Sequence, residues 1–381
     1  MEYIHRKLEP LLGRYLKSFP VIGITGPRQS GKSTLVKTLL KDNYEYITFD
    51  DLSLKQFFND DPKGFINRYN QKVIFDEIQY VPDLFHYVKL VVDENRLDYG
   101  RFVLTGSSHF TLNKHISESL AGRIGLLNLL PFQYSELPEN NNNLAMLKGS
   151  YPELVIRDYR DSDIWFNSYI NTYLQKDLRV LLNIQEIGDF TRFIKLLAAQ
   201  IGNVLNLSEI SRDLGISVTT LKRWVSVLEA SFIIFLLPPY FKNYHKRIVK
   251  SPKIYFYDTG LASFLTGIET QKQFENGIMA GNLFENYVIS EIVKKNAHEG
   301  KNASLFFYRS GSGVEVDLIS EIAGRRDLIE IKSNSDFKKV YLKNAENIFE
   351  ANDHKYVLYK GENIELSDNA SFLNYQDYLR S

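Results

Sequence analysis

Gly26-Pro27-Arg28-Gln29-Ser30-Gly31-Lys32-Ser33-Thr34 is a complete G-x-x-x-x-G-K-[ST] stretch, and its flanks decide how it reads. The apolar strand pattern Val21-Ile22-Gly23-Ile24-Thr25 precedes it, and a helical pattern carrying Leu35, Val36, Leu39 and Leu40 follows. Between strand and helix, Gly26 and Gly31 let the loop curl around an anion while backbone N–H groups and the helix N-terminus point at phosphates. Lys32 is placed to reach the β- and γ-phosphates, and Ser33 to ligate Mg²⁺. All nine positions are therefore expected at a nucleotide, in preference to a structural glycine-rich turn.

Outward from this loop, further strand patterns fall at 44–49, 72–76, 101–105 and 124–130, with helical patterns between most of them. That alternation predicts a doubly wound parallel α/β sheet. Asp76 ends an apolar strand, where ligand-binding residues of such sheets sit, and is suited to hold Mg²⁺ through water. Glu77 beside it is placed to polarise an attacking water. A complete strand at 44–49 also separates the P-loop strand from the Asp76 strand, which argues for the ATPase division of P-loop proteins over the small GTPases. The 101–105 strand runs into Gly106-Ser107-Ser108, where a hydroxyl could orient water or γ-phosphate, or simply cap a helix.

Together these residues resemble the AAA+ ATPases. The resemblance makes 26–34 the Walker A motif, 73–77 Walker B, Ser107 and Ser108 sensor 1, and Arg123 an arginine finger serving a neighbouring subunit's γ-phosphate, hence a homo-oligomer. The alternative for Arg123 is an ordinary surface arginine.

Composition bounds the rest. The chain has 381 residues, 44% of them hydrophobic, enough for two to four domains. Lys+Arg and Asp+Glu number 46 each, so any nucleic-acid contact must come from a local patch. The absence of cysteine excludes disulfides, thiolate metal sites and a cysteine nucleophile, and agrees with a cytoplasmic setting. The first twenty residues lack the apolar run of a signal peptide, and the longest apolar run, 232–237 before Pro238-Pro239, is too short to span a bilayer; no membrane partner is expected.

The organisation expected is an ATPase domain over 1–137, a helical lid or linker over 138–203, a winged helix-turn-helix over 204–262 and a nuclease-like domain over 270–381. In the second segment, Asn140 to Asn143 read as a polar connector, and the stripe Trp165-Phe166, Tyr169-Ile170, Tyr173-Leu174 reads as helix packing. In the third, a helix capped by Ser208, a Gly215 turn and a second helix capped by Ser217 form a helix-turn-helix. The second helix turns Leu221, Val225 and Leu228 inward and leaves Thr219, Thr220, Lys222 and Arg223 for DNA. Strand patterns at 232–237 and 253–257 supply a wing, and Lys246 and Arg247, within a basic and aromatic stretch, suit phosphate contact. Packing against the ATPase core or another subunit is the alternative use.

The C-terminal segment opens with a helix carrying Glu285. A strand, a Gly311-Ser312-Gly313 turn and a returning strand with Asp317 follow, then a strand ending Glu330-Ile331-Lys332, which puts Glu330 and Lys332 on one face. This set resembles the PD-(D/E)xK nuclease superfamily, although Val316 stands where the motif has proline. The resemblance implies that Asp317 and Glu330 ligate Mg²⁺ or Mn²⁺, Lys332 activates water or stabilises the pentavalent state, and Glu285 completes the metal shell. An inactive nuclease fold used for binding, or a surface Glu330–Lys332 pair, remains the alternative. The whole order, with cues at 130–137, 149–153 and 257–261, is similar to a widespread prokaryotic family of AAA+ ATPases with a C-terminal domain of unknown function. Two functions are left: an ATP-driven enzyme acting on DNA, or a nucleotide-operated switch whose C-terminal half mediates protein contacts.

Overall fold

A computed structural model describes residues 3–106, 119–174, 187–241, 251–366 and 369–381. The chain divides into two compact units, one of Met1–Phe132 with Ala230–Phe232 and Ala297–Gly300, the other of Gln133–Glu229, Ile233–Asn296 and Lys301–Ser381.

The first unit is built on β1 (Val21–Thr25), β2 (Glu45–Thr48), β3 (Val73–Asp76), β4 (Phe102–Thr105) and β5 (Ile124–Asn128), in the order β2-β3-β4-β1-β5 and parallel throughout. Strands β1, β3 and β4 are buried at every residue, because helices cover both sheet faces, and so they read as unbroken apolar runs. Alternation then sorts them into two cores. Ile22, Ile24, Ile74 and Val103 pack with Leu11, Leu35 and Val36, while Val73, Phe75, Phe102 and Leu104 join the aromatic cluster of Phe49, Phe58, Phe65 and Phe85. One expectation changes. The strand inserted between the P-loop strand and the Asp76 strand is β4; the strand within 44–49 takes the sheet edge, because order along the chain is not order in a wound sheet.

In the second unit, the Asn140 to Asn143 stretch is no connector: Glu139–Asn141 forms a 3₁₀ turn and Asn142–Lys148 a helix, with Asn141 and Asn142 buried. Trp165, Phe166, Tyr169 and Ile170 are buried, and Trp165 stacks on Tyr169 with centroids 5.1 Å apart. Tyr151, from the 149–153 cue, closes the cluster against both rings. Helices Leu207–Leu214 and Val218–Ala230 flank Gly215, which takes φ 71° to end the first. Asn206, not Ser208, caps that first helix, its side chain accepting from Glu209 N; Ser217 caps the second through Thr220 N at 3.1 Å. Leu221, Trp224, Val225 and Leu228 are buried. The antiparallel pair β6 (Ile234–Leu237) and β7 (Lys253–Phe256) follows.

The last part is a mixed sheet of β8 (Ser304–Arg309), β9 (Glu315–Ile322), β10 (Arg325–Ile331), β11 (His354–Tyr359), β12 (Ile364–Leu366) and β13 (Ala370–Asn374), ordered β12-β13-β11-β10-β9-β8. The long helix Ala280–Glu299 precedes it. The segment after β6 runs on beside β8, Tyr240 N donating to Phe307 O at 2.6 Å and Phe307 N to Pro238 O at 3.0 Å. The three sequence cues also meet. Lys294 Nζ lies 2.7 Å from both Glu291 Oε1 and Ser150 Oγ, Glu291 Oε2 accepts from Tyr134 N at 2.6 Å, and Asp258 Oδ2 accepts from Ser150 N at 2.7 Å. Lys294, Glu291, Ser150 and Asp258 are all buried, so the network is a polar clasp inside the unit. Gly260 is required there, since a Cβ would sit 2.1 Å from Gly149 N.

Candidate functional site

The loop after β1 adopts the cradle that its glycines permit. Gly26 (φ 147°), Gln29 (φ 61°) and Gly31 (φ 93°) carry positive φ, and the helix Lys32–Leu40 begins directly after Gly31. A Cβ on Gly26 would lie 2.1 Å from Leu129 O, so no other residue fits. Lys32 is buried and donates to Gly26 O at 3.0 Å and Pro27 O at 2.7 Å. Burial pushes its ammonium down to about 8, against the opposing pull of Glu77 and Asp76. Ser30 Oγ is buried without a hydrogen-bond partner. Pro27 is buried, Arg28 and Ser33 are half-buried, and Thr34 is exposed. Positive-φ backbone, an ammonium and a helix N-terminus form a donor set that fits a polyphosphate, and the Ser33 hydroxyl with the Asp76 carboxylate fits Mg²⁺.

Asp76 ends β3 and is buried, and the hydroxyls of Tyr46 (β2) and Thr105 (β4) both donate to it. Neighbouring strands thus aim one carboxylate from both sides. Glu77 sits in the left-handed region at φ 57°, an uncommon conformation for a non-glycine residue and one that marks functional turns. Gln79 Nε2 donates to its side chain, while burial raises its carboxyl above the usual range. Two further side chains had no signal in the sequence motif. Arg6 is buried and donates to Ser30 O at 2.9 Å and to Leu130 O at 2.7 Å, bracing the loop from behind. Tyr46 is the other; only its alternation along β2 hints at it.

Arg123 precedes β5, at the sheet end opposite the P-loop, and its guanidinium takes Asp93 in a fork at 2.7 and 3.0 Å. It makes an ion pair within its own unit. Ser107, Ser108, Lys246 and Arg247 lie outside the described residues. On the helix Val218–Ala230, Thr219, Lys222 and Arg223 are exposed, whereas Thr220 is half-buried and bonded to Ser217.

The C-terminal residues converge. Lys332 Nζ lies 2.6 Å from Glu330 Oε1 and 3.9 Å from Asp317 Oδ2, and Asp317 Oδ2 also accepts from Ile331 N at 2.8 Å. Between the pairs Phe306↔Ile319 and Tyr308↔Val316, β8 advances two residues and β9 three, so the extra residue of a bulge falls at 317–318. Such bulges re-aim a side chain. Burial, then the charge of Asp317, pushes the Glu330 carboxyl up to about 8; burial also raises Asp317. Glu330 Oε2 is buried with no hydrogen-bond partner. Two hard carboxylates with an open oxygen fit one Mg²⁺ or Mn²⁺. Among the described residues, however, no three Asp, Glu or His side chains come together as a ready metal cage.

Glu285 contacts residues of β7. Its Oε1 accepts from Lys253 Nζ at 3.1 Å and from the Tyr255 hydroxyl, and Lys253 also reaches Glu315 Oε1 at 2.5 Å. Lys253, Tyr255 and Glu315 were not identified from the sequence, although Lys253 and Tyr255 lie two apart on one strand, which places them on one face.

An AAA domain matches residues 18–138, and domains of unknown function match 140–272 (DUF8612) and 280–378 (DUF4143). The uncharacterized protein Rv2008c of Mycobacterium tuberculosis is 32% identical over 326 residues, covering 85% of this chain and 73% of that protein; Mb2031c of Mycobacterium bovis matches equally. The uncharacterized protein MJ1544 of Methanocaldococcus jannaschii is 23% identical over 344 residues, covering 81% and 73%. Among solved structures, the Walker-type ATPase PABY2304 of Pyrococcus abyssi aligns with TM-score 0.48 and 17% identity over 68% of this chain and 94% of that one. No described helix is long and apolar enough to cross a membrane. The chain belongs to the family of Rv2008c and Mb2031c, with an AAA-type P-loop ATPase domain at its N-terminal end.

Proposed function

We propose that this chain hydrolyses ATP with Mg²⁺ and uses the cycle to act on DNA through a helix-turn-helix, its β6–β7 wing and a metal-dependent nuclease-like centre. Lys32 and the 26–31 backbone bind the phosphates, Ser33 and Asp76 hold the ion, and Glu77 takes up the proton of the attacking water. The ion supplies charge neutralisation at the γ-phosphate. In the C-terminal half, Asp317 and Glu330 would hold a second ion, which would supply charge neutralisation at a scissile phosphodiester, with Lys332 placed to orient water. Thr219, Lys222 and Arg223 form the exposed face available to DNA.

The observation that carries the DNA half is the convergence of Asp317, Glu330 and Lys332 at a bulge, with one buried carboxylate oxygen left open. The test is incubation with ATP, Mg²⁺ or Mn²⁺, and single-stranded, duplex or branched DNA, alongside Lys32→Ala and Lys332→Ala. ATP hydrolysis is expected to fall to background in the first variant and DNA cleavage in the second. Wild-type protein that cleaves none of these DNAs above the Lys332→Ala background would refute the nuclease assignment. The second reading, a nucleotide-operated switch, is favoured by the lysine pairing at the carboxylates; it predicts hydrolysis without cleavage in the same assay.

A further inference from the structure

Resting on that reading of the C-terminal centre, we propose that Glu285 is not a metal ligand in this chain. It anchors Lys253, whose buried ammonium is the fixed second positive charge of the centre, and Asp317 with Glu330 holds a single divalent cation. By direct contact two carboxylates fall to each lysine, although Asp317 also feels the charges of Lys253 and Glu285. Glu285 and Glu315 close on Lys253 at 3.1 and 2.5 Å, while Asp317 and Glu330 lie 3.9 and 2.6 Å from Lys332.

The two ammonium groups differ in freedom. The Lys253 side chain is 3% exposed and that of Lys332 29% exposed. Lys332 can swing into water when an ion arrives, whereas Lys253 has nowhere to go, because moving a buried ammonium off its partners strands it in low dielectric. Its strand is also pinned on both edges. β6 pairs along one, and Ile254 N donates to Asn203 O at 3.1 Å and Leu205 N to Pro252 O at 2.8 Å on the other. The Tyr255 hydroxyl, on the same face of β7, donates to the same Glu285 oxygen. The Phe307 ring lies 5.5 Å from Lys253 Nζ and favours the cation there. Among the described residues, Arg309, 3.7 Å from Glu315, is a further nearby cation. A metal at Glu285 would have to displace this ammonium, whereas Glu330 Oε2 has no hydrogen bond to give up.

The test is Mn²⁺ binding to the intact, nucleotide-free chain, followed by the paramagnetic resonance of free Mn²⁺ and by calorimetry. Asp317→Asn defines the C-terminal site and is expected to weaken it about tenfold or more, while Glu285→Gln, which preserves the Tyr255 contact, leaves it within about threefold. Lys253→Met releases Glu285 and Glu315, so the number of bound Mn²⁺ ions rises by one; if that variant does not fold, the Glu285→Gln arm decides. Glu285→Gln weakening Mn²⁺ as much as Asp317→Asn overturns this inference alone. Wild-type protein with no Mn²⁺ site sensitive to Asp317→Asn overturns the nuclease-like reading, and this inference with it.

Discussion

Replacing Lys294 by methionine keeps most of the side-chain volume and deletes the only cation within hydrogen-bond reach of Glu291 among the described contacts. Glu291 is 1% exposed and accepts at 2.7 Å from Lys294 and 2.6 Å from Tyr134 N. Breaking a buried ion pair on one side costs about 3–5 kcal/mol, because the remaining charge is stranded. In a unit of this size that corresponds to a fall of roughly 6–20 °C in Tm. Lys294→Met with Glu291→Gln is expected to recover most of the loss, since the amide still accepts from Tyr134 N but carries no charge. The pH dependence has a definite sign. Burial already raises the Glu291 carboxyl above its ordinary 4.5, and removing the ammonium raises it further. Between 4.5 and that raised value the folded variant holds a proton that the unfolded chain releases, so its stability rises as pH falls through the window. The gap to wild type is therefore widest at neutral pH and narrows toward pH about 5. Urea unfolding at several pH values reads it directly. A Lys294→Met protein within about 1 kcal/mol of wild type at neutral pH, or a gap that does not narrow on acidification, would refute the reasoning.

Gly26→Ala should abolish ATP binding in a nucleotide titration, because its Cβ meets Leu129 O at 2.1 Å and its φ is 147°. Arg6→Met removes two charged hydrogen bonds to buried carbonyls, each worth about 1.5–3 kcal/mol, and should weaken ATP binding together with thermal stability; unchanged affinity would show that the brace is not needed. Arg123→Ala should leave hydrolysis by isolated subunits unchanged, since Asp93 holds that fork. A loss of activity in Arg123→Ala that is restored on mixing with Lys32→Ala subunits would instead establish a finger acting in trans.

Local pattern carried the ATP site because each requirement there is a matter of neighbours in sequence. The spacing of Gly26, Gly31, Lys32 and Ser33, and the apolar run that ends in Asp76, are short-range features, and so are the Gly215 break between two helices and the i, i+2 spacing of Glu330 and Lys332. What those groups meet is long-range. Tyr46 and Thr105 reach Asp76 only because β2 and β4 flank β3, an order that the chain does not spell out. The polarity of Asn140 to Asn143 suggests a connector, yet Asn141 and Asn142 are buried, because polarity does not fix exposure.

The C-terminal centre marks the boundary most clearly. From sequence alone, the residue types and same-face spacing of Glu330 and Lys332 were determined, because a strand repeats every two residues whatever surrounds it. Only the tertiary structure decided that Lys253, 32 residues before Glu285, occupies the carboxylate assigned to a metal. Whether a buried carboxylate is answered by an ion or by an ammonium depends on which charge the fold brings within reach, and that is a property of packing rather than of spacing.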